Sequence, residues 1–342
     1  MKAAVLENWL DLKLQDIPVP EPNNNEALIK VIYGGVCGSD MTVYRGKHMT
    51  ATVPVVLCHE ILGNIVSLPD GYTGPFKVGQ RVLMNPVISC GECSTCKRGL
   101  YNVCENLKLL GIHVNGGFAE YTKVAVDKLC ALDDDIPDEV AILGEPFAVG
   151  AHVMVRSDLQ PGDTVFISGG AAVGLYLAIF ARAAGCSRVI VSEINEKRRQ
   201  FVESMGIETI NPAVTDAMDC MREVTGGGGF DMVYDTSGAK SAVLQMPDLT
   251  RCGGKMMSLS LTGDPYEFII GKVSFKEITL IGNRLYSQEE FEAGVRFLED
   301  HWKAEGLDRM VTDKLPLSEI DKAINMMING DNLCKIIIDP NA

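Results

Sequence analysis

Short apolar runs separated by Gly, Pro and Asn fill the first part of the chain: ALIKVIYG at 27–34, VLCHEILGNIVSL at 56–68, GQRVLMNP at 79–86 and GFAEYTKVAV at 117–126. Runs of this length with turn residues between them predict antiparallel strands in a barrel-like body. From Ala141 the apolar period lengthens, and a helix is expected through EPFAVGAHVMVRSDL up to the stop at Pro161-Gly162. Strands and helices then alternate: strand 164–168, helix 173–184 closed by Gly185, strand 188–192, helix 195–205. Such alternation builds right-handed β-α-β units and a parallel sheet. A Gly226 to Gly229 turn precedes a strand at 230–234, and further strands are expected at 254–259 and 278–281. After Tyr286 come an amphipathic helix, EEFEAGVRFLEDHW, a second helix at 318–329 and a final strand, CKIIIDP. The fold class is therefore α/β, with a β-rich part and a doubly wound parallel-sheet part.

A length of 342 residues suits two domains. The net charge of −14 changes the picture of partners, because an acidic surface repels phosphate backbones and anionic lipid. No nucleic-acid partner and no membrane partner are expected. The longest apolar stretch, 171–180, is shorter than the ~20 residues a membrane span needs. The chain carries 11 cysteines among 342 residues, too sparse for a disulfide scaffold. The first residues show no basic region followed by an apolar run, so a reduced, cytoplasmic protein is expected, where clustered cysteines serve as metal ligands rather than disulfides.

Cys90, Cys93, Cys96 and Cys104 lie in SCGECSTCKRGLYNVCEN, with Gly91 and Gly99 allowing tight turns. Four thiolates at this spacing can close a tetrahedral zinc shell with no open place, a structural rather than catalytic site. An iron–sulfur cluster takes the same donors, but the proline that typically follows the last cysteine of a ferredoxin run is missing. Cys37 in GVCGSD, with His59 and Glu60 in LCHEILG, offers a thiolate, an imidazole and a carboxylate, a mix zinc accepts while leaving room for substrate. A His-Glu pair on a strand also occurs for purely structural reasons. In TVFISGGAAVGLYLAIF a strand meets a helix at a glycine-rich turn, and Glu193 ends the next strand. Gly169, Gly170, Ala171, Val173 and Gly174 are the candidates for cradling a dinucleotide pyrophosphate at the helix N-terminus, with Ala171 where the usual pattern has its middle glycine. Glu193 can accept from the adenosine ribose hydroxyls and repels a 2′-phosphate, which favours NAD over NADP. Arg198, beside Lys197 and Arg199, leaves room for NADP.

Taken together, Cys37, the His59-Glu60 pair, the four-cysteine lobe, the segment Gly116 to Tyr121 and the late glycine-rich turn resemble the zinc-dependent medium-chain alcohol dehydrogenases, in order and spacing, over essentially the whole length. Glu145 in LGEPFAVGAH resembles the polyol, sugar-acid and threonine dehydrogenase branches, since ethanol-type members have cysteine there. The resemblance implies a GroES-like catalytic domain at 1–150 and 287–342, a Rossmann NAD-binding domain at 151–286, and two zinc ions per chain. It also implies that Cys37, His59, Glu60 and Glu145 form the catalytic zinc set, with Glu60 or Glu145 exchanging with water or substrate. By the same resemblance Ser39 bonds the substrate alcohol and starts a proton relay, Asp40 orients the zinc-bound imidazole, and Arg284 and His113 are candidates for meeting the substrate. Some features depart from the pattern. Cys58 replaces a glycine and is read as a small filler on an extended segment. Thr42 stands where many relatives have histidine, so the relay's end is open, with His48 or a water chain as substitutes. The implied reaction is oxidation of a secondary alcohol of a polyol, sugar acid or polyol phosphate to a ketone with NAD, by a homotetramer or homodimer. The alternatives are threonine-dehydrogenase-type oxidation of an amino alcohol and, from another class, a noncatalytic zinc-binding adaptor.

Overall fold

The computed structural model describes residues 1–260, 265–267 and 269–342, and the chain forms two compact units, Met1–Val149 with Leu285–Ala342, and Gly150–Arg284.

The first unit is built on a seven-stranded sheet whose main path runs Leu129–Ala131, Arg81–Met84, Glu60–Ser67, Glu26–Val36, Lys335–Asp339 and Val311–Pro316; Tyr121–Ala125 also pairs with Glu26–Val36. The long central strand alternates buried Ala27, Ile29, Val31 and Tyr33 with more exposed residues, the period-two pattern of a sheet with one face in a core. Its last residues, Gly34 to Val36, are all buried, because the C-terminal strand covers that end. A smaller sheet places the hairpin Lys2–Asn8 and Asp11–Asp16 beside Val55–Val56.

VLCHEILGNIVSL is not one continuous strand. The Val55–Val56 strand ends, Cys58 takes φ 85°, and a new strand opens at Glu60. The expected extended backbone at Cys58 is thereby corrected. Its carbonyl accepts from the Gly117 amide at 3.0 Å and its amide donates to Asp40 at 3.4 Å, bonds to two neighbours outside any strand ladder. A helix not expected from the periodicity, Gly38–Tyr44, follows the central strand. Seven residues are too few for an apolar period to show.

The second unit holds a six-stranded, wholly parallel sheet in the order Glu208–Ile210, Arg188–Ser192, Thr164–Ser168, Phe230–Asp235, Thr250–Ser258, Thr279–Gly282. This is the doubly wound arrangement, with the strand order reversing beside Thr164–Ser168. The strands and helices expected over 164–205 form as the sequence predicts, with helix Ala172–Ala183 ending before Gly185 at φ 82°, whereas strand Glu208–Ile210 and helices Ala217–Thr225 and Lys240–Leu249 were not expected from it. One face of the sheet rests on a core of Phe166, Ile190, Met221, Phe230, Val233, Leu249 and Met256. Helices Ala217–Thr225 and Lys240–Leu249 complete the unit. No described helix is long and apolar enough to cross a membrane.

Candidate functional site

Cys37 is the hinge between the central strand of the first unit and helix Gly38–Tyr44, which puts Ser39 and Asp40 in the helix's first turn. Asp40 has no exposed surface; one carboxylate oxygen accepts from the Cys37 amide at 2.9 Å, while the other accepts from the Cys58 amide and lies 3.6 Å from His59 Nδ1. A single buried acid thus ties together the two segments that carry Cys37 and His59. His59 Nε2 faces the other way, 3.4 Å from the Ser39 hydroxyl. Donor atoms of Cys37, His59 and Glu60 lie within 4.8 Å of one another.

Two further acids are held close by. Glu145, in helix Gly144–Ser157, is buried and accepts a hydrogen bond from the Tyr286 hydroxyl. Both Glu60 oxygens accept from Lys335 Nζ at 2.7 Å. Burial disfavours a charged imidazole at His59, yet Cys37, Asp40 and Glu145 outweigh it and push its pKa well above the ordinary 6.5. Burial pushes Glu145 up to about 7, opposed by His59 and reinforced by Glu60. Burial likewise raises Asp40. A field that draws positive charge onto the imidazole, together with the sulfur, nitrogen and carboxylate donors of Cys37, His59 and Glu60 converging from two segments, fits a divalent zinc ion.

In the cysteine lobe, Cys90, Cys93, Cys96 and Cys104 place their sulfurs within 4.8 Å of one another, and none forms a disulfide. Zinc–sulfur bonds of about 2.3 Å define a tetrahedron with edges of about 3.8 Å. The Cys93–Cys104 and Cys90–Cys104 separations are 3.8 and 3.4 Å, close to such edges. Backbone amides of Cys90, Cys93 and Asn106 donate to these sulfurs, as thiolates require. Gly91 and Gly99, at φ 74° and 78°, make the turns that bring the sulfurs inward.

In the second unit, Gly169 takes φ 101°, and a β-carbon on Gly174 would come 1.9 Å from the Gly169 carbonyl oxygen. The turn therefore closes only with glycine at both places. Ala171 is extended and precedes the helix that contains Val173 and Gly174. Glu193 is buried at the end of Arg188–Ser192, where its two oxygens accept from the Gly170 amide at 2.8 Å and the Asn195 amide at 2.7 Å. Arg198 stands 3.6 Å from the same carboxylate.

The remaining candidates are His113, Thr42 and Arg284. His113 Nδ1 accepts from the Leu109 amide at 3.1 Å and its Nε2 lies 2.9 Å from the Thr50 hydroxyl, with the His48 ring 6.0 Å away. The Thr42 hydroxyl donates back to the Gly38 carbonyl at 3.3 Å. Arg284 is exposed at the end of the second unit. Sequence reasoning missed Tyr286 and Lys335. The one signal for Lys335 was a lysine standing before three consecutive isoleucines in a strand, a residue seldom buried unless paired.

Residues 23–134 match the model of the alcohol dehydrogenase GroES-like domain and residues 172–300 that of the zinc-binding dehydrogenase domain. A sorbitol dehydrogenase of Bacillus subtilis is 33% identical, the alignment covering 100% of this chain and 98% of that protein. The chain belongs to the zinc-type alcohol dehydrogenases. This family also includes an L-galactonate-5-dehydrogenase of Escherichia coli, 31% identical over 99% of this chain and 98% of its own, and an L-threonine 3-dehydrogenase of Proteus mirabilis, 30% identical over 95% of each. Among solved structures, a zinc-binding dehydrogenase of Sinorhizobium meliloti bound to NADP superposes with a TM-score of 0.89 at 28% identity, and an alcohol dehydrogenase of E. coli complexed with NADH with 0.90 at 26%; each covers 99% of both chains. As a zinc-type alcohol dehydrogenase the chain is an enzyme acting on CH–OH donors, which removes the noncatalytic adaptor.

Proposed function

We propose that this enzyme oxidises a secondary alcohol of a polyol or sugar acid to a ketone and passes the hydride to NAD. The observation that carries this reading is the convergence of Cys37, His59 and Glu60 within 4.8 Å, backed by the buried Asp40, in a chain whose relatives include sorbitol and L-galactonate dehydrogenases. In this reading 1–150 with 287–342 is the catalytic domain and 151–286 the cofactor domain. Cys37 and His59, with Glu145 or Glu60, hold a catalytic zinc, and the four lobe cysteines hold a structural one. Bound zinc supplies Lewis-acid chemistry that lowers the pKa of the substrate hydroxyl.

The protein's own groups then have distinct tasks. Asp40 keeps His59 Nδ1 turned inward, so that Nε2 is the donor presented to the site. The Ser39 hydroxyl, 3.4 Å from Nε2, takes the substrate proton. Thr42 is bonded to its own helix, which favours a water chain as the proton's exit. In the second domain, Gly169, Gly170, Ala171, Val173 and Gly174 admit the pyrophosphate to the helix N-terminus. Glu193 receives the adenosine ribose hydroxyls and disfavours a 2′-phosphate, with Arg198 beside it softening that preference. Arg284 and His113 are the candidates for contacting the substrate. A homodimer or homotetramer in the cytoplasm completes the proposal.

The test is a screen of NAD and NADP reduction across polyols, sugar acids, polyol phosphates and L-threonine, with zinc counted per chain. Turnover of a polyol or sugar acid with NAD, two zinc ions per chain, and loss of turnover in Cys37→Ala are expected. Turnover of L-threonine alone moves the chain to the amino-alcohol reading, and full activity of Cys37→Ala without metal rejects the zinc site.

A further inference from the structure

Strand Phe230–Asp235 runs out in Asp-Thr-Ser-Gly at 235–238, residues whose short polar side chains bond neighbouring backbone and so favour turns. In the sheet it lies beside Thr164–Ser168 with Asp235 opposite Ser168, so this turn and the glycine-rich turn leave the same end of two adjacent strands. Asp235 has no exposed surface. One of its oxygens accepts from the Ser237 amide and hydroxyl at 3.1 and 2.8 Å and from the Gly238 amide at 3.1 Å. The other accepts from the Ser260 and Ser258 hydroxyls at 2.9 and 3.3 Å. A buried carboxylate must be met by donors, and these come from its own turn and from the end of the next strand, Thr250–Ser258. The segment 236–238 is pinned as a result.

Thr236 is the residue that this pinning aims. Its amide donates to the Ser168 carbonyl at 2.9 Å, while its hydroxyl donates to that carbonyl at 3.0 Å and to the Gly169 carbonyl at 3.2 Å. A trans peptide carries its C=O and its N–H on opposite sides. The peptide joining Gly169 to Gly170 is thus gripped from both flanks. Thr236, at the end of Phe230–Asp235, takes its carbonyl, and Glu193, at the end of Arg188–Ser192, takes its amide at 2.8 Å. The hydroxyl fits only because residue 169 has no side chain, since a β-carbon there would come 2.7 Å from Thr236 Oγ1.

We infer that Thr236, aimed by Asp235, is a positioning residue that holds the glycine-rich turn in its cofactor-binding shape before the cofactor arrives. The inference rests on the reading of that turn as the pyrophosphate cradle. A glycine at φ 101° is restrained by no side chain of its own, so the shape of the turn depends on what holds its peptides. With both grips in place, the first amides of helix Ala172–Ala183 are already aimed when a pyrophosphate arrives. Without the Thr236 hydroxyl the turn must be ordered on binding, and affinity falls.

The test measures Kd of the full-length enzyme for NADH by fluorescence and for ADP-ribose by calorimetry, the second ligand having the pyrophosphate but no nicotinamide. Thr236→Val keeps the side-chain shape and the backbone bond to Ser168 and removes only the hydroxyl. It should weaken both ligands by about fivefold, the worth of one neutral hydrogen bond. The KM for NAD should rise by as much, with kcat the less affected. Thr236→Ser should restore both affinities. Asp235→Asn, which offers the segment an amide in place of a carboxylate, should weaken both ligands in the same sense. A Thr236→Val protein that is less stable to urea but binds as wild type does would overturn the inference, leaving a merely structural hydroxyl. A loss confined to NADH would also overturn it, because the hydroxyl would then act on the nicotinamide half rather than on the turn. Failure of Thr236→Ser to restore binding would overturn it in favour of methyl packing, and wild-type affinities in Asp235→Asn would remove Asp235 from it. If Gly174→Ala, whose β-carbon would press on the Gly169 carbonyl, binds ADP-ribose as wild type does, it is the reading of the turn as the cofactor site that fails.

Discussion

Cys58 carries a side chain where the backbone is left-handed, at φ 85°, a conformation that costs an L-residue about 1–2 kcal/mol. The thiol offsets part of this by donating to the Glu60 carbonyl at 3.1 Å and the Gly35 carbonyl at 3.5 Å. Space for it exists because its neighbours are glycines: β-carbons on Gly34 and Gly117 would lie 2.9 and 3.2 Å from its sulfur. Cys58→Gly trades the thiol bonds for relief of strain and should stay within about 1 kcal/mol of wild type. Cys58→Ala keeps the strain without the bonds and should be less stable. Cys58→Val adds a branched carbon to a full pocket and should lose about 2–3 kcal/mol. Urea unfolding of the three variants checks the order, and a valine variant as stable as the glycine one would mean that the turn does not hold Cys58 left-handed. At this scale the sequence was legible where chemistry is concentrated in short motifs. The lobe cysteines could be read from their spacing, and Cys37, His59 and Glu60 through the resemblance that their motifs carry. Lys335 and Tyr286 could not, because their partners lie 275 and 141 residues away, and only the folded sheet brings them together.

Among the elements, the start of the β-α-β alternation in the second unit was legible because strands Thr164–Ser168 and Arg188–Ser192 each centre on a run of three apolar residues, Val165 to Ile167 and Val189 to Val191. The seven-residue helix Gly38–Tyr44 and the pairing of the last strand with Glu26–Val36 were not. The first is too short to show a period, and register between strands 300 residues apart leaves no local trace. The cysteine lobe depends most on something other than packing. Its helical turns, Cys96–Arg98 and Tyr101–Val103, span three residues each, and Leu100, Tyr101 and Val103 are 48%, 42% and 36% exposed. Binding free energy of structural zinc, on the order of 10 kcal/mol, then replaces the missing core. Chelation should accelerate amide exchange across 90–104 by orders of magnitude and leave strand Thr164–Ser168 unchanged; equal exchange with and without chelator would refute a metal-held lobe.

Asp231 ties together the starts of three adjacent parallel strands. Asp231 accepts from the Thr164 amide and hydroxyl at 2.8 Å each and from Arg251 at 2.5 Å, joining strands Thr164–Ser168, Phe230–Asp235 and Thr250–Ser258. Burial works to raise its pKa, but the Thr164 donors and Arg251 hold it below the ordinary 3.8. A carboxylate lowered on folding lends stability that is complete above its unfolded pKa and is lost as pH falls through its folded value. Asp231→Asn should therefore be less stable than wild type at neutral pH, and the gap should shrink as pH falls below about 3.8. Urea midpoints measured along that pH range decide it, with a constant gap as the contrary result.

For the whole molecule, the net charge of −14 turns the choice between neutral and acidic substrates into a measurable quantity. A sugar acid or polyol phosphate approaches a like-charged protein, whereas a neutral polyol feels no net repulsion. Between ~0.01 M and ~0.15 M salt the screening length falls from ~30 to ~8 Å, so long-range repulsion fades while contacts inside the site are little changed. If the proposed substrate is anionic and the overall charge governs its approach, kcat/KM should rise several-fold across that range, chiefly through the association step. For a neutral polyol the same titration should be flat. A fall in kcat/KM with added salt would show that local cations outweigh the global field. Arg284, exposed and proposed to face the substrate, is the first to test. In that case Arg284→Gln should abolish the salt-induced fall for acidic substrates and leave turnover of neutral ones within about twofold. A fall that persists in Arg284→Gln would remove that residue from substrate recognition.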